Sequence, residues 1–105
     1  MLDVVGKTLN HDDKRRLAHP MTGGVILFAR HYESRAQLIA LTDSIRAVRE
    51  DLLIAVDHEG GRVQRFRTDG FTVLPSMGKL GALWDSDVLH ATKVTTAIGY
   101  ILASE

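Results

Sequence analysis

The stretch Leu52-Leu53-Ile54-Ala55-Val56-Asp57-His58-Glu59-Gly60-Gly61-Arg62-Val63-Gln64-Arg65 decides the reading of the fold. Five apolar residues stop at two carboxylates, followed by two glycines and two arginines. An unbroken apolar run of this length predicts a strand buried on both faces, as in a parallel sheet. Charged groups at the carboxyl end of such a strand stand where open α/β sheets and βα-barrels build their sites. The segment therefore reads as strand first and polar site second.

Upstream, Gly24-Val25-Ile26-Leu27-Phe28 forms a second apolar run, entered from Gly23 and ended at Arg30. Between the two runs, Leu38, Leu41, Ile45 and Val48 recur at helical spacing, and Ser34 with Gln37 three residues later fits a capping box. Strand, helix and strand over about 30 residues make a βαβ unit, whose crossover is almost always right-handed. Further upstream, Leu2-Asp3-Val4-Val5 reads as a short strand closed by Gly6. Asn10 caps a helix that carries Asp12 and Asp13 in its first turn, turns Leu17 and Ala18 inward and stops before Pro20.

Downstream the pattern changes. Residues 60–85 are punctuated by Gly60, Gly61, Gly70, Pro75, Gly78 and Gly81, show no sustained period, and read as irregular. A loop of that length in a compact domain is usually functional. Ser86 then caps a last helix with Ala91, Val94, Thr95, Ile98, Ile101 and Leu102 on its buried stripe. The expected class is α/β, with parallel strands near 2–5, 24–28 and 52–57 and helices near 11–19, 34–49 and 86–104. Two or three such strands cannot close a barrel, which takes about 250 residues, so the 105 residues read as the beginning of something larger.

Composition narrows the function. Thirteen basic and thirteen acidic side chains cancel, and basic residues are not interleaved with aromatics, which argues against a nucleic-acid or anionic-membrane surface. There is no cysteine, hence no disulfide and no thiolate metal site. No stretch has the roughly 20 apolar residues of a membrane span, and no signal-peptide pattern opens the chain, so a cytoplasmic location is expected.

Two readings fit the polar residues after Val56. Asp57 and Glu59, two apart, face the same side of an extended chain and suit hydrogen bonding to substrate hydroxyls or acid and base work. Alternatively one of them caps the next turn, or pairs with Arg62 or Arg65, and a buried salt bridge beneath a loop explains Glu59 equally well. Arg62 and Arg65 suit bidentate recognition of anions or vicinal hydroxyls, or brace the loop; Arg67 is expected to face solvent. Gly60-Gly61 either lets the backbone approach a ligand or presents a nest of N–H groups. Arg30 shares the rim with Asp57 as a further pocket candidate, or as a salt-bridge partner for Asp57 or Glu59. Asp57, His58 and Glu59 cannot all reach one metal without a sharp bend, and His11, His19, His31 and His90 lack ligand spacing. Trp84 is expected as a core anchor for the long loop, the alternative being an aromatic floor beneath a sugar.

Gly23-Gly24-Val25-Ile26-Leu27-Phe28-Ala29-Arg30, together with Ala55-Val56-Asp57-His58-Glu59-Gly60-Gly61-Arg62-Val63-Gln64-Arg65-Phe66, closely resembles the amino-terminal part of bacterial β-N-acetylglucosaminidases of glycoside hydrolase family three, of the cell-wall recycling type. Gly70-Phe71-Thr72-Val73-Leu74-Pro75 and the ending Ala103-Ser104-Glu105 fit the same pattern, so the resemblance covers nearly the whole chain. It implies a partial (β/α)8 barrel domain over residues 1–105. It also implies a cytoplasmic enzyme that hydrolyses terminal non-reducing β-N-acetylglucosamine from muropeptides without metal or organic cofactor. The family retains anomeric configuration through a glycosyl-enzyme intermediate, with an aspartate nucleophile and a loop histidine as acid/base. By motif position Asp57 and Arg65 match residues that bind the sugar, whereas Glu59, Gly60, Gly61 and Arg62 match positions of structural character. Glutamine often stands in relatives where this chain has His58. The Lys-His motif, the acid/base histidine and the nucleophile of the family all fall beyond residue 105. No catalytic residue is therefore expected in this chain, and little activity from it alone. The alternatives are a residual sugar-binding module and a structural fragment that self-associates through its sheet edges.

Overall fold

The computed structural model describes residues 1–105, which divide into two compact units, Met1–Asp57 and His58–Glu105. In the first unit, helix α1 (His11–Ala18) begins at Asn10, whose side chain accepts from the Asp13 N–H at 2.8 Å. Asp13 returns the bond by accepting from the Asn10 N–H, completing a capping box. Asp13 is itself fully buried, and Arg16, one turn on, donates to it at 2.6 Å. A carboxylate taken out of water needs such partners. Leu17 is fully buried as expected, while Ala18 is exposed.

Strand β1 (Gly24–Leu27) pairs in parallel with β2 (Leu53–Val56) in the register Gly24–Leu53 to Leu27–Val56. The expected βαβ unit is present, with α2 (Arg35–Val48) as its crossover. Ser34 accepts from the Gln37 N–H at 3.2 Å, and Leu38, Leu41 and Ile45 are buried, Val48 half-buried. Each of the three buried side chains is worth about 1.5–3 kcal/mol of apolar burial. Gly24 is required by the pairing: a Cβ there would stand 2.7 Å from the Leu53 carbonyl oxygen.

Two expectations are corrected in this unit. The strand expected near 2–5 reduces to a single parallel bridge between Leu2 and Val25, because Val4 turns instead into the core. The strand expected at 52–57 spans 53–56 and is not buried on both faces: Leu52 is 5% exposed but Leu53 is 68% exposed. β2 is the outermost strand of a two-stranded sheet, so its far side has no neighbour.

The second unit departs further from expectation. Residues 60–85, read as irregular, hold the hairpin of β3 (His58–Gly60) and β4 (Val63–Gln64) and a full helix, α3 (Met77–Ser86). Helix α4 (Val88–Ser104) is capped by Asp87, which accepts from the His90 N–H at 2.9 Å; Ser86, the expected cap, instead ends α3 and bonds back to Leu83. α3 escapes the sequence pattern because Gly78 and Gly81 lie inside it, where glycine costs about 1 kcal/mol relative to alanine, and because none of its residues is buried. Trp84, expected as a core anchor, sits on α3 at 54% exposure. On α4, Ala91 and Ile98 are buried, and Val94 and Ile101 half-buried, whereas Thr95 and Leu102 are exposed.

Candidate functional site

Because Leu27 is level with Val56, the next residues along the two parallel strands, Phe28 and Asp57, leave the sheet at the same end. That carboxyl-terminal rim is where parallel α/β sheets collect ligand-binding groups. Asp57 stands there half-buried, as the sequence places it. Arg30 follows on a short 3-10 turn, Ala29–His31, and is exposed. Arg30 forms an ion pair with Asp3, which the bridge Leu2–Val25 lays beside β1, and not the salt bridge to Asp57 or Glu59 that was the alternative to a pocket role. The Arg30 guanidinium also stacks 4.8 Å above the Phe28 ring.

His31 is the residue that sequence reasoning passed over. It is fully buried, and its Nδ1 accepts from the Phe28 N–H at 2.8 Å. A ring nitrogen that accepts carries no proton, so the proton is on Nε2, 2.8 Å from the Val4 carbonyl oxygen that it serves. Burial pushes the imidazole pKa down; the Val4 carbonyl opposes that shift, and neighbouring Arg30 reinforces it. From α2, the Gln37 amide donates to the His31 carbonyl at 3.0 Å and to the Lys7 carbonyl at 2.9 Å. No ligand spacing announces such a histidine, because its ring partners are backbone groups, one of them 27 residues away.

The remaining candidates lie in the second unit. Glu59 is exposed in β3, so of its two readings the buried salt bridge beneath a loop does not hold: the carboxylate keeps its water. Arg62 is exposed in the hairpin turn, and Arg65 is half-buried just after β4. The two glycines face the chain's own backbone. Gly60 and Gly61 have φ of 83° and 57°, and Gly61 donates to the Leu74 carbonyl at 2.8 Å. A Cβ at Gly60 would lie 2.2 Å from the Pro75 carbonyl oxygen, and one at Gly61 2.6 Å from the Ser76 Cβ. Close approach of segment 74–76 therefore demands glycine at both positions.

Gln64 organises the loop beyond. It is buried, and its amide nitrogen donates to the carbonyls of Phe66 (3.0 Å) and Thr72 (2.7 Å) while its oxygen accepts from the Leu74 N–H (2.9 Å). Arg67, expected simply to face solvent, is exposed yet braces the hairpin by donating to the Gln64 and Gly61 carbonyls. Glu105 clips the end of α4 to the same loop, accepting from the Thr72 N–H at 2.9 Å and its hydroxyl at 2.5 Å. His58 packs within an aromatic cluster, its ring centroid 5.8 Å from Phe66 and 6.2 Å from Phe71. Burial lowers its pKa, with Glu105 opposing and Arg67 adding to the effect.

A cleft of about 380 Å³, lined by Leu2, Arg15, Arg16, His19 and Thr22, opens at the amino end of β1, the opposite end of the strands from Asp57. Its arginines are already engaged, Arg16 with buried Asp13 and Arg15 with Asp12.

Residues 1–104 match the glycosyl hydrolase family 3 N-terminal domain. The chain belongs to that family. It is 62% identical over its whole length to a protein named beta-hexosaminidase from Bordetella avium, and 59% identical to one from Methylobacillus flagellatus. It spans 30% of the length of each. A crystal structure of NagZ from Neisseria gonorrhoeae in complex with N-trifluoroacetyl-D-glucosamine shares its fold with a TM-score of 0.80 and 47% identity, over 96% of this chain and 29% of that one. A family 3 β-N-acetylglucosaminidase from Paenibacillus is similar at a TM-score of 0.69 and 31% identity, over 78% of this chain and 16% of that one. The expected family is thus borne out, and with it the parentage among glycoside hydrolases. No helix of the chain is long and apolar enough to cross a membrane.

Proposed function

We propose that residues 1–105 supply the first βα units of a (β/α)8 barrel. In its complete form this barrel hydrolyses terminal non-reducing β-N-acetylglucosamine from muropeptide fragments in the cytoplasm, without metal or organic cofactor. The observation that carries the reading is the family match over residues 1–104, joined to a carboxylate, Asp57, at the carboxyl rim of paired parallel strands. In this reading Asp57 accepts hydrogen bonds from sugar hydroxyls, Arg65 presents its guanidinium to the same sugar, and Glu59, Arg62 and Arg30 are pocket or supporting groups. A retaining hydrolysis needs a nucleophile against the anomeric carbon and a separate acid/base. Neither role is assigned to a residue of this chain, so the 105 residues alone are expected to turn over a chromogenic N-acetylglucosaminide negligibly. Turnover at the rate of a full-length relative overturns that expectation. Calorimetry with N-acetylglucosamine on a chain extended to the length of its relatives tests the site: Asp57→Ala is expected to weaken binding at least about tenfold, one hydrogen-bonded charge being worth roughly 1.5–3 kcal/mol.

One observation favours a second reading, a non-catalytic fragment that self-associates. β2 leaves one edge without a strand, and Leu53 on it is 68% exposed. Light scattering on the 105-residue chain decides it, since a stable monomer at high concentration excludes edge pairing.

A further inference from the structure

At the carboxyl rim of the parallel strands one side chain ties the end of β1 to the amino-terminal segment. His31 reaches Phe28, the residue after β1, and Val4, on the segment bridged to β1 through Leu2, while Asp57 leaves β2 at the same end. We propose that His31 is a latch on this rim, which holds Phe28 to Val4 only while its ring is neutral and loosens the rim in acid. The proposal goes beyond the sugar-binding reading and does not depend on it.

The geometry admits one protonation state. Nδ1 must present a lone pair to the Phe28 N–H, and a second proton on the ring turns that acceptor into a donor facing a donor. The ring is fully buried, so the new charge gains no water in exchange. The charged groups around it do not rescue the cation. Arg30 on its own turn repels it; Asp3 and Asp13 attract it, but Asp3 is paired with Arg30 and Asp13 with Arg16. α2 contributes the neutral amide of Gln37, bonded to the His31 backbone rather than to its ring. The neutral ring, by contrast, satisfies two backbone groups, the buried Val4 carbonyl 27 residues away and the Phe28 N–H 3 residues away in sequence. On acidification the latch must either break locally or be held neutral at a cost that grows as the pH falls.

The sign follows from linkage. The folded state disfavours the charged ring, so the unfolded chain binds the proton more readily. The contribution of His31 is complete above its unfolded value, about 6.5, and is lost as the pH falls through the lower folded value.

The test is a pH titration of the 15N-labelled 105-residue chain between about pH 8 and pH 5, following each histidine ring separately by NMR. At the upper end His31 is expected as the Nε2–H tautomer, with a midpoint below the ordinary histidine value of about 6.5. The hydrogen-exchange protection of the Phe28 amide is expected to fall at least about tenfold as the His31 ring titrates, while the Ile45 amide in α2 keeps its protection. In His31→Asn, whose side-chain oxygen can still accept from Phe28 but does not titrate, that protection is expected not to follow pH. The proposal is overturned by an Nδ1–H tautomer, by a His31 midpoint at or above about 6.5, or by simultaneous loss of protection at Phe28 and Ile45. The wild-type titration decides these points even should the variant not fold.

Discussion

Between Met1 and Asp57 the backbone is held mainly by regular elements, two helices with side-chain caps at Asn10 and Ser34 and a pair of parallel strands. Between His58 and Glu105 the stretch from Gly61 to Ser76 is held by side chains that reach for carbonyls and amides one at a time: Gln64 for three, Arg67 for two, Glu105 for the Thr72 amide. Regular elements repeat a bond pattern that any residue can make, and they tolerate change at most positions. A loop held by single side chains depends on particular residues, and on glycine wherever two backbones meet too closely for a Cβ. The two units thus carry their vulnerability in different places, the first in its core and caps, the second in its loop.

The sharpest way to break this contrast is to add one methyl group to each unit. Gly60→Ala places a Cβ against the Pro75 carbonyl at a φ of 83°, whereas at Gly23 the same change meets nothing within 4 Å. Gly60→Ala is expected to cost about 3 kcal/mol and Gly23→Ala less than about 0.5 kcal/mol, read from urea unfolding. Equal effects would abolish the distinction. Next comes a point where the first unit, too, hangs on a single side chain, Asp13. Removing this fully buried carboxylate in Asp13→Ala breaks the capping box and strands Arg16, which is 41% exposed and so regains some water. A loss of about 2 kcal/mol is expected, below the cost of breaking a wholly buried pair, with amides of α1 losing exchange protection before those of α4.

The smallest effect concerns acidity. His58, like His31, is pushed down by burial, so its share of stability is full above about 6.5 and is lost as the pH falls through its folded value. His58→Phe, placed among Phe66 and Phe71, is expected to flatten the pH dependence of α4 exchange protection in the second unit and leave that of Phe28 in the first untouched. A flattened response at Phe28 as well would show that the two histidines do not act separately.

Much of the first unit was legible in the sequence because its signals are short-range: an unbroken apolar run, a helical stripe over Leu38, Leu41 and Ile45, and a capping residue at each helix start. Asp57 was legible for the same reason, as the first charge after an apolar strand. The glycines and Arg65 were visible as a motif, but their neighbours were not. Nothing local says that Gly60 faces Pro75, that Arg67 returns to Gly61, or that Arg30 pairs with Asp3 rather than with Asp57. Helix α3 was hidden by Gly78 and Gly81, which read as turn signals until the chain is seen to carry them inside a helix.

By itself the sequence determined the helix at residues 11–18, the strand–helix–strand unit over residues 24–56, where the polar rim begins and which family the chain resembles, since apolar period, caps and motif are properties of neighbours in the chain. Tertiary structure alone decided that His31 is a neutral, fully buried tie, that Gln64 and Glu105 hold a loop, and that the double glycine faces its own backbone. Those outcomes depend on which distant carbonyl or amide arrives within hydrogen-bonding distance, and a linear pattern does not encode that meeting.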